Sequence, residues 1–339
     1  MSLMRAEAQE APQAVARLLA QDEALYAALA RHLRDDPPAS VLTVARGSSD
    51  HAAQYLGYLV MARLGRLVTS LPMSLVTLHP PRLQRQGVLA MALSQSGRSP
   101  DLVAPISYFN EGGARTVVLV NEVESPLAAA ARWVLPLHAG PERSVAATKS
   151  FIAQMVAGAR LVASWEDAPA LTAAVAALPA SLDAAAKIEW PAAIETLQGA
   201  DRLYVIGRGT GLSVALEAAL KLKEVCGLQA EAFSGAELQH GPMSLVEAGY
   251  PVLVLAPAGP ALPGLMRLAQ DLRQRGARVL LAAPAGTAGA ELPLSAVPHE
   301  DLGPIVAVQS FYGMVEALAR ARGLDPDRPR HLAKVTLTR

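Results

Sequence analysis

Two stretches of this 339-residue chain match one another at a nearly constant offset, and that duplication limits the folds open to it. Arg46-Gly47-Ser48-Ser49 follows the apolar run 41–45, and Arg208-Gly209-Thr210-Gly211 follows the apolar run 203–207, 162 residues later. At the same offset Leu64-Gly65 meets Cys226-Gly227. The segment 113–120 then pairs with 276–283, and Ser150-Phe151 with Ser310-Phe311, at almost the same spacing. Four landmarks with little drift imply a duplicated domain of about 130 residues.

Each copy alternates short β-branched runs with longer helical patterns. The first copy predicts strands at 41–45, 88–93, 116–120 and 133–137, the second at 202–206, 251–255, 278–282 and 292–297. The helices between them stop at glycine (Gly65, Gly112-Gly113, Gly227, Gly276), as left-handed C-caps require. Strand, helix, strand at this spacing gives βαβ units, hence α/β domains with a parallel sheet covered on both faces, doubly wound and flavodoxin-like. Such sheets bind ligands beyond the carboxyl ends of their strands. The expected layout is a helical region at 1–35, a first domain at 36–165, a helical linker at 166–195, a second domain at 196–325 and a tail at 326–339.

Composition narrows the function classes. With 52% hydrophobic and 18% charged residues the chain can bury real cores. Thirty basic residues balance thirty acidic ones, so no bulk field draws nucleic acid or an anionic membrane. Cys226 stands alone, which excludes an intrachain disulfide framework, and the seven histidines contain no close pair that suggests a metal site. The uncharged stretch 248–266 carries four prolines, unlike a membrane-spanning helix, and the N-terminus has no apolar signal region. A cytoplasmic location is expected.

The turn Ser94-Gln95-Ser96-Gly97-Arg98-Ser99 follows a strand and precedes a helical pattern. Hydroxyls and a glycine at such a turn offer what a phosphate monoester needs: outward N–H groups, O–H donors and the positive end of a helix. A Ser/Gly-rich turn is often only a turn. The second copy has Ala256-Pro257-Ala258-Gly259-Pro260-Ala261 there, without hydroxyls, so the first copy is read as specialised for an anion and the second is not. Ser48-Ser49 would lie on the same sheet edge.

Glu217, Lys221 and Glu224 occupy i, i+4 and i+7 on one helix face. They read either as a solvated ion pair or as an acid–base group. His240-Gly241-Pro242 fixes an imidazole before a turn, and Lys334 follows a Pro-rich approach in an apolar local context. A desolvated lysine can form a Schiff base with a carbonyl.

Together these segments resemble the sugar isomerase (SIS) family, specifically its double-SIS members. These include the isomerase part of glutamine–fructose-6-phosphate transaminase and the stand-alone glucosamine-6-phosphate deaminases related to it. The resemblance runs from Met4-x-x-Glu7-x-x-Glu10-x-Pro12 through Gly47-Ser48-Ser49, Ser94-Gln95-Ser96-Gly97 and Glu142-x-x-Val145-Ala146-x-Thr148-Lys149. It continues through 215–224 and Glu237-Leu238-x-His240-Gly241-Pro242 to Leu332-Ala333-Lys334.

The resemblance implies that Ser49, Ser94, Gln95, Ser96 and Ser99 hold a sugar phosphate, with Ser48 and Val145 lining the pocket. It implies Glu224 as the base between C1 and C2, His240 as the ring-opening residue contributed by a neighbouring subunit, and Lys334 as the imine-forming lysine. A homodimer with a shared site, a phosphorylated amino sugar or ketose phosphate as ligand, and no nucleotide or metal follow from the same likeness. The transaminase also carries a glutaminase domain opened by a cysteine, whereas here the only cysteine is in mid-chain. The expected reaction is therefore deamination of glucosamine 6-phosphate to fructose 6-phosphate. Deglycase, deaminase or isomerase action on another phosphosugar, and sugar-phosphate sensing without turnover, remain as alternatives.

Overall fold

The computed structural model describes residues 1–334. It contains two parallel five-stranded sheets built on one plan. The first holds β1 (Ser40–Val44), β2 (Val68–Ser70), β3 (Val88–Ser94), β4 (Arg115–Val120) and β5 (Trp133–Pro136), in the order β2-β1-β3-β4-β5. The second holds β6 (Arg202–Gly207), β7 (Gln229–Ser234), β8 (Pro251–Leu255), β9 (Arg278–Pro284) and β10 (Leu292–Leu294), in the order β10-β9-β8-β6-β7. Read from its other edge, the second order is the first one repeated, so the duplication seen in the sequence is a duplication of topology.

The inner strands are apolar throughout because helices cover both sheet faces. Every residue of β3 is buried, and the last four of β8. Two strands are absent from the sequence reading, β2 and β7, and both lie at sheet edges. β2 has three residues. β7, of sequence QAEAFS, lacks any β-branched residue, yet pairs along its whole length with β6. An edge strand needs less apolar surface than a central one, so its sequence carries a weaker pattern.

The chain forms two compact units. One comprises Gln13–Glu142 and Lys149–Ala176 with the tail from Ala333, and contains the first sheet. The other comprises Met1–Pro12, Arg143–Thr148 and Ala177–Leu332, and contains the second. In the first unit, Ala90, Ala92, Val118 and Val120 of the sheet pack on Leu102, Ile106 and Phe109. In the second, Ile206, Val252, Val254 and Leu281 pack on Leu265, Ala269 and Leu272. The helices Gly47–Leu64 and Gly211–Cys226 both end on a glycine with φ of +63°, the left-handed cap the pattern requires.

The segment Glu300–Ala321 is long and apolar enough to cross a membrane, but 89% of its apolar 18-residue stretch is buried. It is the central helix of that unit, packed against Gly211–Cys226.

Candidate active site

In the first sheet the strand order reverses between β1 and β3, so the turns after these two strands face one crevice. Gly47-Ser48-Ser49 opens the helix after β1, and Ser94–Ser99 joins β3 to the helix Pro100–Glu111. Arg46 Nε lies 2.8 Å from Asp101 Oδ2 and ties the two turns together. Ser94 Oγ accepts the Gly97 N–H at 2.9 Å, and Ser96 Oγ accepts the Arg98 N–H at 3.4 Å, which leaves both O–H groups able to donate.

Gly97 has φ of +62°, and a Cβ there would stand 2.2 Å from Ser125 Oγ, so no other residue fits. Ser99, extended at φ −72° and ψ 120°, leads into the helix at Pro100. Gln154, buried on the helix Lys149–Glu166, donates to Ser49 Oγ at 3.0 Å. The crevice therefore gathers Ser48, Ser49, Ser94, Gln95, Ser96 and Ser99 at two helix N-termini, with the exposed Arg98 in the same turn, a donor set suited to a phosphate dianion. Arg46, which follows β1, is already neutralised by the buried Asp101.

Lys334 belongs to this same unit. The expected apolar context is not what surrounds it: its Nζ lies 3.4 Å from Oε2 of the buried Glu142. Glu142 also accepts the Ser150 N–H at 3.1 Å and the Ser150 O–H at 2.5 Å. The lysine thus has a base beside it, oriented by two further hydrogen bonds. Sequence periodicity gave no sign of this contact, because 192 residues separate the partners.

The other unit carries the acid–base cluster. Lys221 Nζ lies 2.6 Å from Glu224 Oε2 and 3.3 Å from Glu217 Oε1, and Tyr312 O–H donates to Glu217 Oε1 at 3.1 Å. Glu217 and Lys221 are fully buried while the Glu224 side chain keeps 21% exposure, which rules out the solvated surface pair. Burial alone would depress the Lys221 pKa, but the two carboxylates outweigh it and raise it, so the ammonium stays charged. Glu224 is the one carboxylate of this network open to a ligand.

Val145 sits in this unit, half-buried, on the segment Arg143–Thr148. Glu7 of the helix Leu3–Gln9 holds that segment by accepting the Arg143 N–H at 2.5 Å and the Ser144 N–H at 3.1 Å.

His240 ends the short turn Glu237–His240, is exposed, and has no hydrogen-bond partner among the described residues. Gly241 follows with φ of +144°. One chain does not bring His240 to Glu224. Glu224 lies near the C-terminus of the helix Gly211–Cys226, at the amino edge of the sheet, whereas His240 follows the carboxyl end of β7. The six residues of β7 span roughly 20 Å between those edges.

A family model for the SIS domain matches residues 36–164 and 196–319, one match on each sheet. The chain belongs to the SIS domain family. The glutamine–fructose-6-phosphate aminotransferase of Symbiobacterium thermophilum is 35% identical to this SIS chain over 331 residues, covering 91% of it and 52% of the relative. That of Aeropyrum pernix is 37% identical over 314 residues, covering 87% and 50%. The chain thus spans about half the length of the curated relatives it matches. Among solved structures, a candidate phosphosugar isomerase from Silicibacter pomeroyi DSS-3 superposes with a TM-score of 0.91 at 43% identity, over 96% of this chain and 100% of the other. The glucosamine-6-phosphate deaminase of Thermotoga maritima shares the fold, with a TM-score of 0.78 at 24% identity over 99% of this chain and 100% of that one.

Proposed function

We propose that this SIS protein is an isomerising deaminase that converts glucosamine 6-phosphate and water to fructose 6-phosphate and ammonia. The ester would bind at Ser49, Ser94, Gln95, Ser96 and Ser99, with Ser48 and Val145 lining the pocket. After ring opening by His240, Glu224 takes the C2 proton, and the electron pair moves toward the C1 carbonyl, which becomes the hydroxyl of an enolamine. Return of the proton to C1 gives a C2 imine. Water, or the Lys334 amine followed by water, then releases ammonia and leaves the ketose. No net redox change occurs.

The observation that carries this reading over plain isomerisation is the Lys334–Glu142 pair. Moving hydrogen between C1 and C2 needs only one base, whereas exchanging nitrogen at C2 benefits from an amine with a proton acceptor beside it. Glu142 would receive the proton that Lys334 loses on attack. The charged Lys221, hydrogen-bonded to Glu224, would hold that carboxylate in place. The separation of His240 from Glu224 supports a site completed by His240 of the partner subunit in a homodimer.

A second reading, aldose–ketose isomerisation of another phosphosugar, is favoured by the likeness to the Silicibacter pomeroyi protein. Fructosamine 6-phosphate and galactosamine 6-phosphate are further substrates of the same chemical type. Ammonia release measured over a panel of amino-sugar phosphates tests the proposal: release from glucosamine 6-phosphate supports it, and aldose–ketose exchange without ammonia rejects it. Mixing Glu224→Gln with His240→Ala chains tests the shared site. Random reassortment restores about a quarter of wild-type activity if the residues come from different subunits, and none if they act within one chain.

A further inference from the structure

We propose that the crevice at the carboxyl edge of the second sheet is a second, non-catalytic anion site, binding a phosphoryl dianion through Arg208 and Arg267. This crevice lies at the switch point between β6 and β8, the topological counterpart of the serine crevice between β1 and β3. It encloses about 460 Å³ and is lined by Arg208, Gln239, Pro260, Leu265, Arg267 and Asp271, among others. That volume falls within the roughly 300–1,000 Å³ of small-molecule pockets.

The two copies handle the same arginine differently. Arg46 and Arg208 both follow the first strand of their sheet, 162 residues apart. Arg46 is neutralised by Asp101, the residue after Pro100 in the first turn of its helix. In the second copy the residue after Pro263 in the corresponding turn is Gly264, which has no carboxylate to offer. Arg208 consequently has no ion pair among the described residues.

Arg267 is also without an ion pair among the described residues, and its guanidinium folds back toward the start of its helix, where Nη2 would lie 3.9 Å from a Cβ at Gly264. Two unpaired guanidinium groups therefore face a crevice in which Asp271 is the acidic member. Guanidinium forks match phosphate oxygens in pairs.

This proposal departs from the expectation that only the first copy handles anions. The proline-rich turn 256–261 has no hydroxyls, yet charge takes their place. No histidine or lysine lines the crevice. Arg208 precedes the helix Gly211–Cys226, on which Glu224 lies thirteen residues after Gly211, roughly 20 Å along, so the bound anion is separate from the proton transfer between C1 and C2.

Equilibrium dialysis of the full chain against labelled orthophosphate tests the assignment with four proteins: wild type, R208Q/R267Q, S94A/S96A and the combination. Wild type is expected to bind two equivalents. R208Q/R267Q loses one, with binding weakened by about tenfold for each guanidinium removed, and keeps its catalytic turnover. S94A/S96A loses the other, and the combination binds none. Two equivalents retained by R208Q/R267Q would overturn the proposal, whereas failure of the serine variant to lose one speaks only against the serine crevice. Displacement of the arginine-dependent equivalent by fructose 6-phosphate identifies an ester as the source of the dianion. Displacement by orthophosphate alone identifies free phosphate.

Discussion

Lys221 lies between two carboxylates, and its replacement by methionine tests how the acid–base network is held. The substitution keeps an unbranched side chain but takes the ammonium away from Glu217, which is 0% exposed and also accepts from Tyr312. Removing one partner of a buried ion pair costs about 3–5 kcal/mol, because the other charge remains desolvated. Glu224 contributes less to this cost, since water reaches its 21% exposed side chain. Neutralising that carboxylate as well, in Glu217→Gln/Lys221→Met, should recover more than half of the loss.

Denaturant unfolding measures this, with Trp133 and Trp165 changed to phenylalanine. Trp190, in the same unit as Lys221, then reports that unit alone. The sign of the pH dependence is also fixed. The Lys221 pKa is raised above 10.5, so its contribution is complete below that value and fades only as pH climbs through the higher folded-state pKa. The wild-type advantage over Lys221→Met should therefore stay constant from neutral pH to about pH 10. At acid pH it should shrink, because a buried carboxylate without its ammonium gains from protonation. A loss under 1 kcal/mol, or no recovery in the double variant, would refute the buried-network argument.

Gly97→Ala should raise KM for a phosphorylated substrate by roughly tenfold or more, because the new methyl meets Ser125 and the φ of +62° is strained. Gly113→Ala, at φ +78° with open space around it, should leave KM unchanged, so steady-state kinetics of the pair separates site distortion from backbone strain. Cys226 should resist alkylation at pH 9 in the native protein and yield one thiol equivalent after unfolding. Burial pushes its thiol up to about 12 despite the nearby Arg322. Its raised pKa means the folded state keeps a proton the unfolded state gives up above pH 9.0, so stability falls there by about 1.4 kcal/mol per pH unit from this group. Glu142→Gln should slow borohydride trapping of fructose 6-phosphate on Lys334 by about 10²-fold and shift its pH profile, while Lys334→Arg abolishes the adduct.

How much of this was legible in the sequence follows from where each interaction acts along the chain. The central strands announced themselves as apolar runs, since both faces of β3 and β8 are covered. β7 did not, because an edge strand takes its order from β6 rather than from its own residues. The shape of the turn Ser94–Ser99 was legible because its hydrogen bonds are local: the Gly97 N–H donates to Ser94 Oγ and the Arg98 N–H to Ser96 Oγ. The i, i+4, i+7 spacing of Glu217, Lys221 and Glu224 was equally visible. What decided its meaning was burial, to which Tyr312 contributes from 95 residues away. Glu142 beside Lys334, and Gln154 behind Ser49, join distant segments and leave no periodic trace.

The duplicated halves show why a shared topology does not fix shared chemistry. A parallel sheet of this order opens a crevice where its order reverses, whatever residues line it, and the described residues form two such sheets. In the first, a single carboxylate, Asp101, pairs with the arginine that follows β1, beside hydroxyls and helix ends. In the second, a glycine at the corresponding position leaves the arginine unpaired. Hydroxyl and backbone donors grip an anion through directed hydrogen bonds and demand a fixed shape, which suits an ester that must be held at one angle for reaction. Guanidinium groups on exposed side chains attract charge with less demand on orientation, which suits binding without turnover. On the proposed assignments, the carboxylate at one helix start and the hydroxyls of one turn together divide a repeated scaffold between these two tasks.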